Sequence, residues 1–130
     1  MVQFSIPARE LTLKIVYYGP ALSGKTTNLQ SLHNAASPEA RGRLMSLNTQ
    51  DDRTLFFDLL PLQLKTATGH HLKLKVFTVP GQVVHDHTRR VVLQGADAIV
   101  FVADSQLSQQ GDNDASYQNL LANCERNKID

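Results

Sequence analysis

The sequence predicts an α/β fold, and three observations carry that prediction. Residues 11–18 (LTLKIVYY) and 98–103 (AIVFVA) are β-branched, aromatic and aliphatic runs, each followed by a turn and then by apolar residues at helical spacing. Between them, residues 62–66 and 72–78 alternate apolar with polar and are separated by Gly69-His70-His71, which is a β-hairpin pattern. The junction after the first run reads Gly19-Pro20-Ala21-Leu22-Ser23-Gly24-Lys25-Thr26, a full match to G-x-x-x-x-G-K-[ST].

Residues 11–18 are the first strand. Its end at Gly19 opens the glycine-rich loop, in which each fixed position has a physical task. Gly19 and Gly24 let the backbone turn tightly and approach phosphate oxygens, and the intervening N–H groups face inward, Pro20 having none to give. Lys25 places a charge on β- and γ-phosphates, and the Thr26 hydroxyl suits Mg²⁺. A helix starting there adds the positive end of its dipole. Leu29, Leu32, Ala35 and Ala36 recur at helical spacing, and Pro38 stops the run.

The next stretch, 37–53, is polar and charged and reads mostly as loop. Residues 55–60 (LFFDLL) are strongly apolar and end at Pro61, ahead of the hairpin. Val79-Pro80-Gly81-Gln82 closes the hairpin's second strand in a loop, and residues 83–94 carry a mixed helical pattern with Val84, Thr88, Val91 and Val92 on one face. Residues 98–103 suit a strand buried on both faces of a parallel sheet. Residues 105–113 are polar loop, and 114–126 form a helix with Tyr117, Leu120, Leu121 and Cys124 as its stripe. In open α/β sheets ligands bind at the carboxyl ends of strands, where Gly19, Gly81 and Asp104 all fall.

Bulk composition narrows the class. The chain has 130 residues, about one domain, with 42% hydrophobic and 19% charged residues. A net charge of +1 gives no electrostatic case for nucleic acid. One cysteine, Cys124, forms no internal disulfide and fits a reducing compartment. No stretch has the length of a membrane span, so a cytoplasmic location is the expectation.

A phosphate loop needs further groups to sense the γ-phosphate, hold Mg²⁺ and place a water. Gly81 is a candidate to donate its N–H to the γ-phosphate, and Gln82 to orient the attacking water. Thr54 is a candidate second hydroxyl for Mg²⁺, and Arg53 a candidate to neutralise charge on the transferred phosphoryl group.

Four segments carry a family resemblance: 19–27 (GPALSGKTT, ending at Thr27), 52–62 (DRTLFFDLLPL), 78–83 (TVPGQV) and 99–105 (IVFVADS). Together, from about Leu11 to Cys124, they resemble the bacterial Ras-like GTPases of the mutual gliding-motility (MglA-like) family. The resemblance implies a single Ras-like P-loop G domain over residues 1–130 that binds and hydrolyses GTP to GDP with Mg²⁺. It implies a switch role in cell polarity or gliding motility, with polarity and motility effectors as partners. It implies a roadblock-type GTPase-activating protein, an arginine finger supplied in cis by Arg53, and Gln82 as the water-orienting residue.

Three departures bear on the site. Most Ras-like proteins carry Asp where this chain, like the gliding family, has Thr78, and a neutral hydroxyl holds Mg²⁺ less firmly. Ala21 stands where the family usually has Gly, so a left-handed backbone there would be strained. His85-Asp86-His87 replaces an aromatic and small polar residues; a lone H-x-H pair lacks the ligands Zn²⁺ needs and reads as switch or partner contacts.

The final residues, Asn127-Lys128-Ile129-Asp130, spell N-K-x-D, the guanine-reading motif of Ras-like proteins. Helical spacing before it leaves no room for the buried strand that motif requires, so it reads as coincidence. Of a Ras-like sheet ordered 2-3-1-4-5-6, the chain supplies about four strands, 2-3-1-4, with the later strands and helices missing. It therefore reads as the N-terminal part of such a domain, with an exposed apolar edge at 98–103 that favours low stability or self-association. Two other functions stay open: a non-hydrolysing nucleotide- or partner-binding module, and another P-loop ATPase or kinase.

Overall fold

The computed structural model describes residues 2–6, 9–48, 56–82 and 85–129. In chain order these form β1 (Gln3–Ser5), β2 (Glu10–Tyr18), α1 (Lys25–Ala35), β3 (Met45–Asn48), β4 (Phe56–Lys65), β5 (His71–Thr78), α2 (Asp86–Leu93), β6 (Ala98–Phe101), a 3₁₀ turn (Leu107–Gln109) and α3 (Gln110–Arg126). One mixed sheet holds all six of these strands. Across it the order is β3-β4-β5-β2. The far edge of β2 is shared by β6, parallel along Ile15–Tyr18, and by β1, antiparallel along Glu10–Thr12.

The predicted core of four strands in order 2-3-1-4 is therefore present as β4-β5-β2-β6, and two short strands extend it. β3 lies within the stretch read as loop; it exists because its backbone pairs with β4, Met45 opposite Leu59. β4 runs straight through Pro61, where the sequence reading broke it. The odd positions of β4 present their backbone to the outer edge: Gly42 N donates to Pro61 O and Gln63 N donates to Ala40 O. The N–H that Pro61 lacks would thus have faced away from β5, where no ladder bond is missed. The hairpin is as read, with Leu62 opposite Leu74 and Leu64 opposite Leu72.

Strand periodicity sorts side chains onto two faces. On one, α1 drops Leu29 onto Leu60, Leu62 and Val76, flanked by Ile15, Tyr17, Leu32 and Leu74. On the other, α2 and α3 cover Val16, Tyr18 and Val79 with Val92, Leu93 and Leu120. Leu29, Leu60 and Leu93 are wholly buried, each contributing about 1.5–3 kcal/mol.

The last helix departs from its predicted stripe. Leu120 is buried and Cys124 packs against the core, but Tyr117 and Leu121 are 47% and 46% exposed, and Asn123 takes the inward position instead. β6 also differs from a strand buried on both faces: Ile99 and Phe101 pack inward, whereas Ala98 and Val100 are exposed. Among the described residues β6 pairs with β2 alone. The helix ends in a left-handed stop. Lys128 has φ 55°, its N–H donates to Glu125 O, Ile129 N donates to Cys124 O, and Asn127 Nδ2 reaches Arg90 O at 2.9 Å. Asn127, Lys128 and Ile129 of the N-K-x-D string therefore terminate a helix, not a strand, which agrees with reading the string as coincidence; Asp130 lies outside the described residues.

Candidate functional site

The glycine-rich loop joins the carboxyl end of central β2 to α1, as its pattern requires. Gly24, at φ 102°, is the left-handed residue that starts α1. Ala21 is not among the positive-φ residues, so the strain anticipated there does not arise; Leu22 carries the left-handed backbone instead, at φ 64°, with its side chain 95% exposed. Lys25 folds back over the loop and is 7% exposed, donating from Nζ to Gly19 O (2.9 Å) and Pro20 O (2.6 Å). Burial, and then the charge of nearby Arg89, lower its pKa to about 8.

These features fit an anionic, oxygen-rich ligand. The start of α1 has no side-chain cap and no acidic residue in its first turn, so its terminal N–H groups stay available for an anion. The Ser23 hydroxyl, within the loop, is buried with no hydrogen-bond partner among the described groups. A cleft of ≈ 470 Å³ opens beside the loop, lined by Lys25, Thr26, Asp58, Thr78, Gly81 and Gln82 among others. Thr27 also lines it, within the first turn of α1.

The sequence reading missed Asp58. It is the even-numbered position of β4 that continues the Leu60–Leu62 face toward the loop, and the same alternation along β5 brings Thr78 beside it. Thr26 Oγ1 donates to Asp58 Oδ2 (2.8 Å), as does Thr78 Oγ1 (3.0 Å), while Ser46 Oγ donates to Oδ1 (2.6 Å). Asp58 N in turn donates to Thr78 Oγ1. A carboxylate thus stands at the place where Thr78 alone would be a weak metal group, supplied by the neighbouring strand. This set of hydroxyls and one carboxylate is a hard-oxygen environment that suits Mg²⁺. The available signal was a lone acid in the apolar run LFFDLL, since a charge in such a run needs partners.

Gly81 lies against the loop itself. A Cβ at Gly81 would stand 2.1 Å from Ala21 N and 2.4 Å from Pro20 C, so only glycine permits this approach. The Gln82 side chain is exposed at the rim of the cleft. Arg53 and Thr54, the other predicted members, lie outside the described residues.

A second polar cluster sits on the opposite side of the Gly81 loop, and it too escaped the sequence reading. Arg89, 5% exposed, donates to Pro80 O (3.0 Å), Gln82 O and Asn119 Oδ1 (2.9 Å). Asp86 Oδ1 accepts from Asn119 Nδ2 (2.8 Å) and Asn123 Nδ2 (3.1 Å) and faces Arg89 at 3.5 Å. Tyr18 OH donates to Asn119 Oδ1 and accepts from Asn123 Nδ2. The Asn119 amide, with Asn123, Arg89 and Arg126, holds the Asp86 carboxyl below the usual range against the opposing effect of burial. Asp86 of the His85-Asp86-His87 string is thus an internal anchor.

No protein-family model matches the chain. Mutual gliding-motility protein MglA of Myxococcus xanthus (strain DK1622) is 51% identical to it over 116 residues, which is 89% of this chain; the match spans 60% of that protein's length. No described helix is long and apolar enough to cross a membrane. With half of all aligned residues shared and a P-loop at the carboxyl end of a β4-β5-β2-β6 sheet, the chain belongs to the mutual gliding-motility (MglA-like) family of Ras-like P-loop proteins.

Proposed function

We propose that this chain binds GTP with Mg²⁺, hydrolyses it to GDP, and acts as a molecular switch in cell polarity or gliding motility. The observation that supports this best is the convergence of Lys25, Thr26, Asp58, Thr78 and Gly81 around one cleft at the start of α1. In this reading the backbone of residues 19–24, with Thr27, cradles the phosphates, and Lys25 turns from its loop carbonyls to the β- and γ-phosphates. Thr26 and Thr54 would supply hydroxyls to Mg²⁺, and Asp58, which accepts from Thr26, would orient the metal's water shell. Mg²⁺, when bound, neutralises charge on the phosphate oxygens.

Gly81 offers its N–H to the γ-phosphate, Gln82 orients the attacking water, and Arg53 stabilises charge as it spreads over the transferred group. A roadblock-type activating protein and polarity or motility effectors are the partners this reading proposes. The test is a titration of GTP, GDP and ATP in Mg²⁺ followed by turnover. Guanine nucleotides are expected to bind more tightly than ATP; equal affinities would overturn guanine selection. Gln82→Leu is expected to slow hydrolysis roughly 10²-fold and Arg53→Ala about 10³-fold. A parent that hydrolyses GTP while neither change slows it would overturn the mechanism.

A further inference from the structure

One buried guanidinium holds the Gly81 loop from behind. Arg89 NH1 binds the carbonyl on each side of Gly81, those of Pro80 and Gln82. Its remaining nitrogens are set by the α3 amide Asn119 and by Asp86. The ridge formed by Ala21, Gly81 and Gln82 lines two clefts: the phosphate-side one, and one of ≈ 400 Å³ bounded by Arg89, Asp112, Ser116 and Asn119. Arg89 is therefore on the opposite side of the ridge from Lys25 and Thr26.

Peptide geometry gives this placement a consequence. In a trans peptide the C=O of Pro80 and the N–H of Gly81 point in opposite directions. A carbonyl drawn toward Arg89 aims the Gly81 N–H away from it, to the phosphate side. Arg89 is also near enough to Lys25 for its charge to contribute to the lowered pKa of that lysine, so its field reaches the same pocket.

We propose that Arg89 is a positioning residue which fixes the Pro80–Gly81 peptide so that the Gly81 N–H faces the γ-phosphate position, and that Asp86, Asn119, Asn123 and Tyr18 couple this loop state to α3. The proposal deepens the reading of the cleft as a GTP site and rests on it. Its members come from four places in the chain: the end of β2 immediately before the phosphate loop, the loop after β5, α2 and α3. A change of loop geometry at Gly81 shifts Arg89 against the α3 amide Asn119 and against Asp86, which Asn123 also holds, so α3 senses the occupant of the cleft without touching it. The guanidinium fork is needed, because an ammonium cannot meet two carbonyls, an amide oxygen and a carboxylate in one plane.

The experiment compares parent, Arg89→Lys, Asn119→Ala and the double variant. Three readouts are taken: hydrogen exchange of the nucleotide-free protein, GDP affinity, and single-turnover GTP hydrolysis. Arg89→Lys keeps the charge and is expected to raise amide exchange at Gly81 and Gln82 and in α3, and to slow hydrolysis about tenfold. GDP affinity should stay within about threefold, since GDP has no γ-phosphate to meet Gly81. Asn119→Ala, which does not touch the loop, should loosen it by a smaller factor and add little to Arg89→Lys in the double variant. Unchanged loop exchange in a folded Arg89→Lys protein would overturn the latch. So would a loosened loop with hydrolysis as fast as the parent's, or a GDP affinity that falls as far as the hydrolysis rate does. A parent that binds no nucleotide would overturn the GTP-site reading, and the exchange comparison would then decide the latch alone.

Discussion

The two faces of the sheet end differently at the same level, where the strands run out beneath the phosphate loop. On the α1 face the apolar stripe Leu62, Leu60, Val76 gives way to Asp58 and Thr78, which meet Thr26 and Ser46 in an open cleft. On the α2–α3 face the stripe Val16, Tyr18, Val79 gives way to Arg89, Asp86, Asn119 and Asn123, a more closed cluster between two helices in which Asp86 alone keeps a side chain 38% exposed. Both clusters are polar and both touch the Gly81 ridge. In the open one the bonds of Asp58 to Thr26 and Ser46 lie near solvent, where a ligand can replace them at small cost, and only Thr78 beneath them is buried. In the closed one Arg89 and Asn123 are buried, so losing a partner leaves a desolvated group. The contrast supports the ligand role proposed for the first and the loop-positioning role proposed for the second.

Core truncation gives the largest separation. Leu93→Ala removes a wholly buried side chain from between α2 and the sheet and is expected to cost about 2–5 kcal/mol. Leu32, on the α1 face, is only half-buried and lines a shallow apolar groove with Tyr17, Ala36, Leu74 and Val100. Leu32→Ala should cost less, about 2 kcal/mol, because part of its surface already meets water in the groove. Chemical denaturation of the two variants checks the order, and equal losses would break the distinction between a closed and an open face.

The polar clusters should separate in a different observable. Asn123→Ala deprives Tyr18 OH and Asp86 of a buried donor and should cost roughly 1–3 kcal/mol in denaturant. Asp58→Asn should cost only about 1 kcal/mol, since its bonds to Thr26 and Ser46 lie near solvent and the amide keeps an oxygen for the buried Thr78 hydroxyl. It should instead weaken Mg²⁺-dependent nucleotide binding about 10- to 100-fold, the usual scale for a group orienting a metal's shell. A denaturation series beside a Mg²⁺ titration reads both, and an Asp58→Asn protein that loses stability but not Mg²⁺ dependence would reverse the assignment.

How much of this was readable beforehand follows the same division. The phosphate loop was legible because each fixed residue has a local backbone or charge task, and the hairpin because alternation is local. β3 was not, since Met45-Ser46-Leu47-Asn48 has no β-branched residue and becomes a strand only by pairing with β4. Pro61 hid the length of β4 because the direction of its absent N–H depends on register. The stripe of α3 was misplaced because a count of apolar residues passes over Asn123, which is buried for the sake of Tyr18 OH and Asp86. Asp58 and Arg89 act through partners remote in sequence, 32 residues from Thr26 and 30 from Asn119, so spacing gave no clue to either.

Lys25 supplies the most gradual effect, spread over pH, and the one that joins the two faces. It lies on the phosphate loop, yet burial and then the Arg89 charge from the other side lower its pKa from 10.5 to about 8. In nucleotide-free protein the folded state gives up this proton above about pH 8, while the unfolded chain keeps it to about 10.5. The unfolded state then binds more protons, so this lysine makes apo stability rise with pH across that window. The proposed nucleotide binding is expected to have the opposite slope. Phosphate oxygens beside the ammonium raise its pKa, so binding takes up a proton above about pH 8, and affinity falls by at most roughly tenfold per pH unit there. Below pH 8 the lysine is charged in both states and contributes no slope. Calorimetry in buffers of different ionisation enthalpy measures the uptake directly. Arg89→Gln removes the second cause of the shift, so it should move the onset to higher pH while leaving the sign unchanged. An onset that stays in place would mean that burial alone sets this pKa and that Arg89 acts on the loop through its hydrogen bonds without an electrostatic reach into the phosphate cleft.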